Sequence, residues 1–159
     1  MVSVADVASV AKSVLVVVAQ GKRYALPLDH VIETMRPLPI EPVANAAHYV
    51  VGVSIIRGLP VPVVDLGGLL APVGTLSHPA HARFVMVRAG ARHVALAVES
   101  VIGVRRLEAG RLHDLPPLLR ASLPASIASL GVPDRELLAV LDGGCLVPDE
   151  VWETGLAGG

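Results

Sequence analysis

Cysteine and aromatic side chains are nearly missing from this chain. One cysteine, Cys145, in 159 residues excludes an internal disulfide and a cysteine-based zinc site. Aromatics make up 3%, too few for a surface that stacks nucleobases or cages a ligand. The formal net charge is −1 with no basic stripe, which argues against nucleic acid and against anionic membrane as partners. Long apolar runs are missing too. Residues 14–19 and 50–56 are short, and residues 61–76 are broken by proline and glycine. None approaches the roughly 20 residues of a spanning helix, so no membrane insertion is expected. The opening residues have neither the basic start nor the apolar stretch of a signal peptide, and a cytoplasmic protein is expected. What the chain has in abundance is aliphatic residues. It is 53% hydrophobic, and its mean hydropathy is +0.63. Such a chain without a membrane segment implies apolar surface covered by other proteins.

The aliphatic residues fall in short, β-branched runs. Alternation in residues 24–28 and 92–98 is too dense for a helix with one wet face and suits strands buried on one or both faces. Residues 16–32 and 85–102 look like two copies of one hairpin. Gly21 and Arg23 of the first match Gly90 and Arg92 of the second, and Val31-Ile32 matches Val101-Ile102. Each half also closes alike, with Val64-Asp-Leu-Gly-Gly and Leu141-Asp-Gly-Gly. This duplication predicts two β-rich lobes, about 14–70 and 83–147, joined by a connector at 71–82. With 15 Gly and 13 Pro punctuating short strands, the lobes are expected to be small barrels. Short helices are predicted over 1–12 and 149–154, a helical turn at 118–123, and flexible ends at 1–12 and 155–159.

The residues give little support to chemistry. Gly67-Gly68 and Gly143-Gly144 are not followed by the Gly-Lys-Ser/Thr of a phosphate loop, and they read as turns with positive φ. Asp65 and Asp142 stand before these pairs. A carboxylate there accepts hydrogen bonds from the following amides more readily than it forms a general acid–base pair. Asp65, Gly67, Gly68, Asp142 and Gly143 are therefore assigned to structural turns. His78 and His81 share a spacing that two metal ligands could use, but no third ligand lies near them in sequence, and no metal is expected. Cys145 sits among apolar neighbours as a small hydrophobe. With no clustered nucleophile and base, no enzyme activity and no cofactor are expected.

The segment 52–66, Gly-Val-Ser-Ile-Ile-Arg-Gly-Leu-Pro-Val-Pro-Val-Val-Asp-Leu, carries most information. Arg57 is the sole charge between Val50 and Val64, and Gly58 follows it. This predicts two apolar strands joined by an Arg-Gly turn. Three roles stay open for Arg57: a solvated turn residue, a partner of an acidic neighbour such as Glu33, or an interface anchor. The segment resembles the signature Gly-Val-x-x-x-Arg-Gly-x-x-x-Pro-Val-x-Asp-Leu of the CheW-like domains, adaptors of bacterial chemotaxis. Val31 with Glu33, and Val98-Glu99 with Val101, extend the resemblance to about residues 14–151. Two departures stand out: Ile55 replaces the usual asparagine, and Pro27 falls in the first hairpin, which suits an edge strand.

The resemblance implies an all-β fold of two five-stranded SH3-like barrels packed around a shared hydrophobic core. It implies a non-enzymatic adaptor that couples the cytoplasmic tips of methyl-accepting chemoreceptors to the regulatory domain of the histidine kinase CheA, recruited to membrane receptor arrays. Other CheW-like domains are further candidate partners. The positions matching the family's receptor groove are Val31, Glu33, Arg57 and Gly58, with Ile55 beside them. The alternatives are a divergent scaffold of another chemosensory pathway, serving surface motility or development, and a small-ligand-binding regulator.

Overall fold

Apolar strands in this chain pair through the tightest available turns. A computed structural model describes residues 12–71, 81–108, 112–114, 127–131 and 138–141. Strands β1 (Lys12–Ala19) and β2 (Lys22–Pro27) form an antiparallel hairpin around Gln20-Gly21, both at positive φ, 51° and 71°. Strands β6 (Arg83–Ala89) and β7 (Arg92–Val98) form the second hairpin around Gly90-Ala91, with Gly90 at φ 65°. Positive φ at the first or at both central residues matches the right-handed twist of the flanking strands. The remaining strands are β3 (Val31–Met35), β4 (Val50–Ile56), β5 (Leu59–Asp65), β8 (Ser100–Leu107), β9 (Leu112–Asp114), β10 (Ile127–Gly131) and β11 (Leu138–Leu141). A 3-10 turn at Leu28–His30 leads into β3, and a short helix, α1 (Leu66–Leu70), follows β5.

The strands make two sheets, β8-β1-β2-β11-β10-β9 and β3-β6-β7-β5-β4. The orders match term by term once the duplicated hairpins are superposed. Each hairpin has an antiparallel neighbour on its first strand, β8 or β3, and a parallel neighbour on its second, β11 or β5. Even the sixth strand has its counterpart: β9 pairs with β10, and Glu41 makes an isolated antiparallel bridge to Val53 of β4. Thus the two hairpins at 16–32 and 85–102 do occupy equivalent places.

The division of the chain between sheets differs from the consecutive lobes expected at 14–70 and 83–147. The second sheet is built from residues 31–98, and the first from the opening hairpin with the described strands from Ser100 onward. The reason lies in the exits from the hairpins. The chain leaves β2 through the 3-10 turn, and leaves β7 through Glu99 alone, and each time it enters the other sheet. Sequence similarity marks the repeated unit, whereas the sheets exchange its strands. Pro27 is likewise not on an edge strand. It ends β2, between β1 and β11, beyond the Tyr24 and Ala25 positions where β11 pairs, so no ladder donor is lost.

Both sheets roll up. Strands β8 and β9 are opposite edges of the first sheet, yet only residues 108–111 separate them. That tether spans at most about 17 Å at ~3.5 Å per residue. Six flat strands at ~4.8 Å spacing would set the edges about 24 Å apart. The barrel interiors are separate clusters: Val14, Val16, Ala25, Leu107 and Val140 in the first, and Ile56, Val61, Val63, Phe84, Met86, Ala95 and Ala97 in the second. Alternate residues of the same strands point the other way. Leu15, Val17, Leu26, Val64, Val85, Val87, Val94, Leu96 and Leu141 form a third cluster between the barrels. The hairpin strands are therefore buried on both faces, which is why they read as unbroken apolar runs. Each fully buried aliphatic side chain contributes about 1.5–3 kcal/mol. The expected helices at 1–12 (apart from Lys12, which opens β1) and 149–154, the turn at 118–123 and most of the connector lie outside the described residues.

Candidate functional site

Strands β4 and β5 pair in register up to Ile56 and Leu59, leaving Arg57 and Gly58 as the whole turn. Their φ values are 52° and 79°. Glycine accepts this conformation freely, but an arginine held there is strained. The guanidinium reaches across to Glu33 on β3, the opposite edge of the same sheet. Nε donates to Oε1 at 3.2 Å and Nη2 donates to Oε2 at 2.5 Å. The side chains are 72% exposed for Arg57 and 28% for Glu33. The hydrogen bond to Glu33 first, and its negative charge second, raise the pKa of Arg57 above its usual value. Of the three roles open to Arg57, pairing with Glu33 is thus realised. Such an exposed pair adds little to stability, about 0–1 kcal/mol, but its two-point geometry fixes the side chain.

Large aliphatic side chains are exposed in the strands that carry and neighbour this pair. Ile55 is 64% exposed and Leu59 62% exposed on either side of the turn. Val31, two residues before Glu33, is half-buried against the cluster between the barrels. Val101 of β8 packs against that same cluster, and on β8 Ile102 and Val104 are exposed. The structure therefore brings Glu33, Ile55, Arg57 and Gly58 to one hairpin tip and sets Val31 further along β3. Sequence reasoning missed Leu59, Ile102 and Val104, because an aliphatic residue in a strand reads as core unless its face is known.

A strap of chain braces the tip. Ser54, buried, donates from Oγ to the carbonyl of Pro39 at 2.8 Å, and Glu41 and Val53 exchange two backbone hydrogen bonds at 2.8 Å. The strap lies so close that a Cβ on Gly52 would stand 2.2 Å from the Glu41 carbonyl oxygen. Gly52 is at φ 153°. This contact gives the first glycine of the signature a physical reason that spacing alone did not reveal.

At the other end of β5, Asp65 caps α1 by accepting from the Gly68 amide at 3.1 Å, the hydrogen bond assigned to it. Gly67 and Gly68 differ from expectation, since neither has positive φ and both are helical. Close packing explains them instead. A Cβ at Gly67 would meet Gln20 Cγ at 2.7 Å, and one at Gly68 would meet Asp65 Oδ2 at 2.9 Å. His81 does find a carboxylate, with Nε2 3.3 Å from Asp65 Oδ1. His48 Nε2 lies 3.2 Å from the Gly68 carbonyl oxygen and donates to it in the tautomer that carries hydrogen there. The pairing of His81 with Asp65, sixteen residues apart, was invisible to a search for neighbours in sequence. Among the described residues no three His, Cys, Asp or Glu converge as a metal site would require. Asp142, Gly143, His78 and Cys145 lie outside the described residues.

Two rolled sheets with exchanged hairpins and an Arg-Gly tip define a class of double-barrel scaffold. The chain belongs to the CheW-like domain family, whose model matches residues 13–150. This is a family of non-enzymatic adaptors in chemotaxis signal transduction. Among solved structures, the fold is similar to that of the scaffolding protein TtCheW from Thermoanaerobacter tengcongensis. The TM-score is 0.75 at 18% identity, covering 86% of this chain and 92% of that one. No curated protein sequence matches the chain. Among the described residues no helix is long and apolar enough to cross a membrane.

Proposed function

We propose that this chain is a cytoplasmic adaptor that couples the tips of methyl-accepting chemoreceptors to the regulatory domain of the histidine kinase CheA at membrane receptor arrays. One observation carries this reading: a braced hairpin tip that presents an oriented arginine between exposed aliphatic residues. The same positive φ recurs at Gln20, so this reading rests on the oriented guanidinium and the exposed aliphatic residues of the tip, not on its backbone. Large aliphatic side chains around a planar guanidinium have the composition of an interface anchor. The groove between the barrels, bordered by Val31 on β3 and Val101 on β8, is the receptor-binding face in this reading. Exposed Ile55, in place of the family's usual asparagine, favours a partner more apolar at this contact than is common, as in a divergent chemosensory pathway.

The test is capture of purified wild type and Arg57→Glu by a receptor-tip fragment and by a CheA regulatory-domain fragment from the same genome. Reversing the charge sets two carboxylates against each other and deletes the donor fork. Binding should weaken by about 2 kcal/mol or more, roughly thirtyfold. The melting temperature should stay nearly unchanged, as for other exposed substitutions. Equal capture of both proteins would remove the tip from the interface.

A further inference from the structure

Two edges of the Arg57 guanidinium have different fates. Nε and Nη2 are held by Glu33. The outer edge, with Nη1, has no partner among the described residues and faces solvent on a side chain 72% exposed. Glu33 also cancels the charge, so the pair as a whole is neutral. Ile55 and Leu59 flank the turn with more than half their surface free, one on each face of the hairpin, since Leu59 shares a face with its partner Ile56. A partner seated here meets directed N–H donors with no net charge behind them, and an exposed aliphatic side chain on whichever face of the hairpin it covers. A carboxylate suits such a site poorly: its desolvation is costly, and Glu33 repels it at short range. A neutral acceptor costs far less to desolvate and carries no full charge for Glu33 to repel.

We infer that the Arg57 tip recognises uncharged backbone carbonyl oxygens flanked by apolar side chains, as at the C-terminal end of a helix. The last four carbonyls of a helix have no intrahelical partner and accept hydrogen bonds from outside. This inference rests on the adaptor reading above and names the chemistry of its contact. Glu33 acts as a positioning residue, aiming the guanidinium while removing its long-range attraction.

Salt separates the two acceptors. The Debye length falls from about 10 Å at 0.1 M to about 3 Å at 1 M, which screens ion pairs and leaves hydrogen bonds to neutral groups nearly untouched. The dissociation constant of a receptor-tip fragment is measured at both salt concentrations for wild type and for Glu33→Gln/Arg57→Met, a double variant with the same formal charge. The double variant should bind about tenfold more weakly, or worse, and that ratio should hold within about twofold at ~1 M salt. A ratio that collapses at high salt assigns the contact to a carboxylate and overturns the inference. Equal binding by the double variant overturns it as well. A wild type that fails to bind the fragment at all refutes the adaptor reading beneath it. Arg57→Lys provides a second arm should the double variant misfold. It retains charge and pairing but loses the planar fork, and is expected to weaken binding by about tenfold. Binding within about twofold of wild type would overturn the assignment.

Discussion

Two turns of this molecule share one backbone geometry and serve opposite ends. Gln20-Gly21 joins β1 to β2, and Arg57-Gly58 joins β4 to β5. Both place a non-glycine residue near φ 50°, followed by a glycine at 71° or 79°. At the first turn the side chain lies back along the protein surface, and Gln20, though exposed, rests against Gly67 of α1. At the second it points outward, held among the described residues by Glu33, with Ile55 and Leu59 exposed in the flanking strands. The strands behind Gln20 are buried on both faces, so that hairpin spends its apolar residues inside the protein. The strands behind Arg57 leave apolar residues at the tip, where only another molecule can cover them. Turn type therefore does not reveal which hairpin is an interface. The distribution of apolar surface around the turn does.

The largest effect that would test this contrast is on the brace behind the outward tip. Gly52→Val puts atoms where the Glu41 carbonyl and Ile40 already stand, and backbone cannot give way as a flexible side chain can. A loss of about 2–4 kcal/mol in urea unfolding is expected. A loss under about 1 kcal/mol would show that the strap is not pinned and that the tip is not braced. The first turn is tested by a double-mutant cycle. Gly67→Ala crowds Gln20, while alanine itself is favoured in a helix by up to about 1 kcal/mol. Truncating Gln20 to Gly should relieve the crowding, giving a coupling of about 1 kcal/mol between the two sites. Additive effects would mean that Gln20 does not rest on α1. The smallest effect is expected at the outward turn. Arg57→Asn relieves the strained backbone and forfeits an exposed ion pair, so unfolding free energy should change by less than about 0.5 kcal/mol. A loss above about 1 kcal/mol would make the Arg57–Glu33 pair a structural latch that closes the barrel, and the contrast between the turns would fail.

Much of this was legible in the sequence, for physical reasons that can be named. Strands buried on both faces leave continuous apolar runs, so the two hairpins and their duplication could be read directly. The Arg57 turn was legible because a charge followed by glycine interrupts an apolar stretch. Its partner Glu33, twenty-four residues away, could be named only as one of several possibilities. What escaped was everything set by the third dimension. The division of strands between sheets depends on the exits at Leu28–His30 and Glu99, and these carry no motif. The exposure of Leu59, Ile102 and Val104 depends on which face of a rolled sheet is outermost. The glycine pair after Asp65 looked like a left-handed turn because composition cannot distinguish conformational freedom from lack of room. Helical Gly67, beside Gln20, needs the room.

The exchanged hairpins have a further consequence, for the order of assembly as the chain leaves the ribosome. Residues 31–98 contain every strand of the second barrel, and that barrel has its complete set of pairings once β7 has emerged. The opening hairpin must wait. Its parallel partner β11 is more than a hundred residues downstream, and loop closure over such a distance is slow. Until then β1 and β2 present two apolar faces, of which the middle barrel can cover one. The part of the protein made first is thus finished last, and its sequence must resist aggregation throughout that delay.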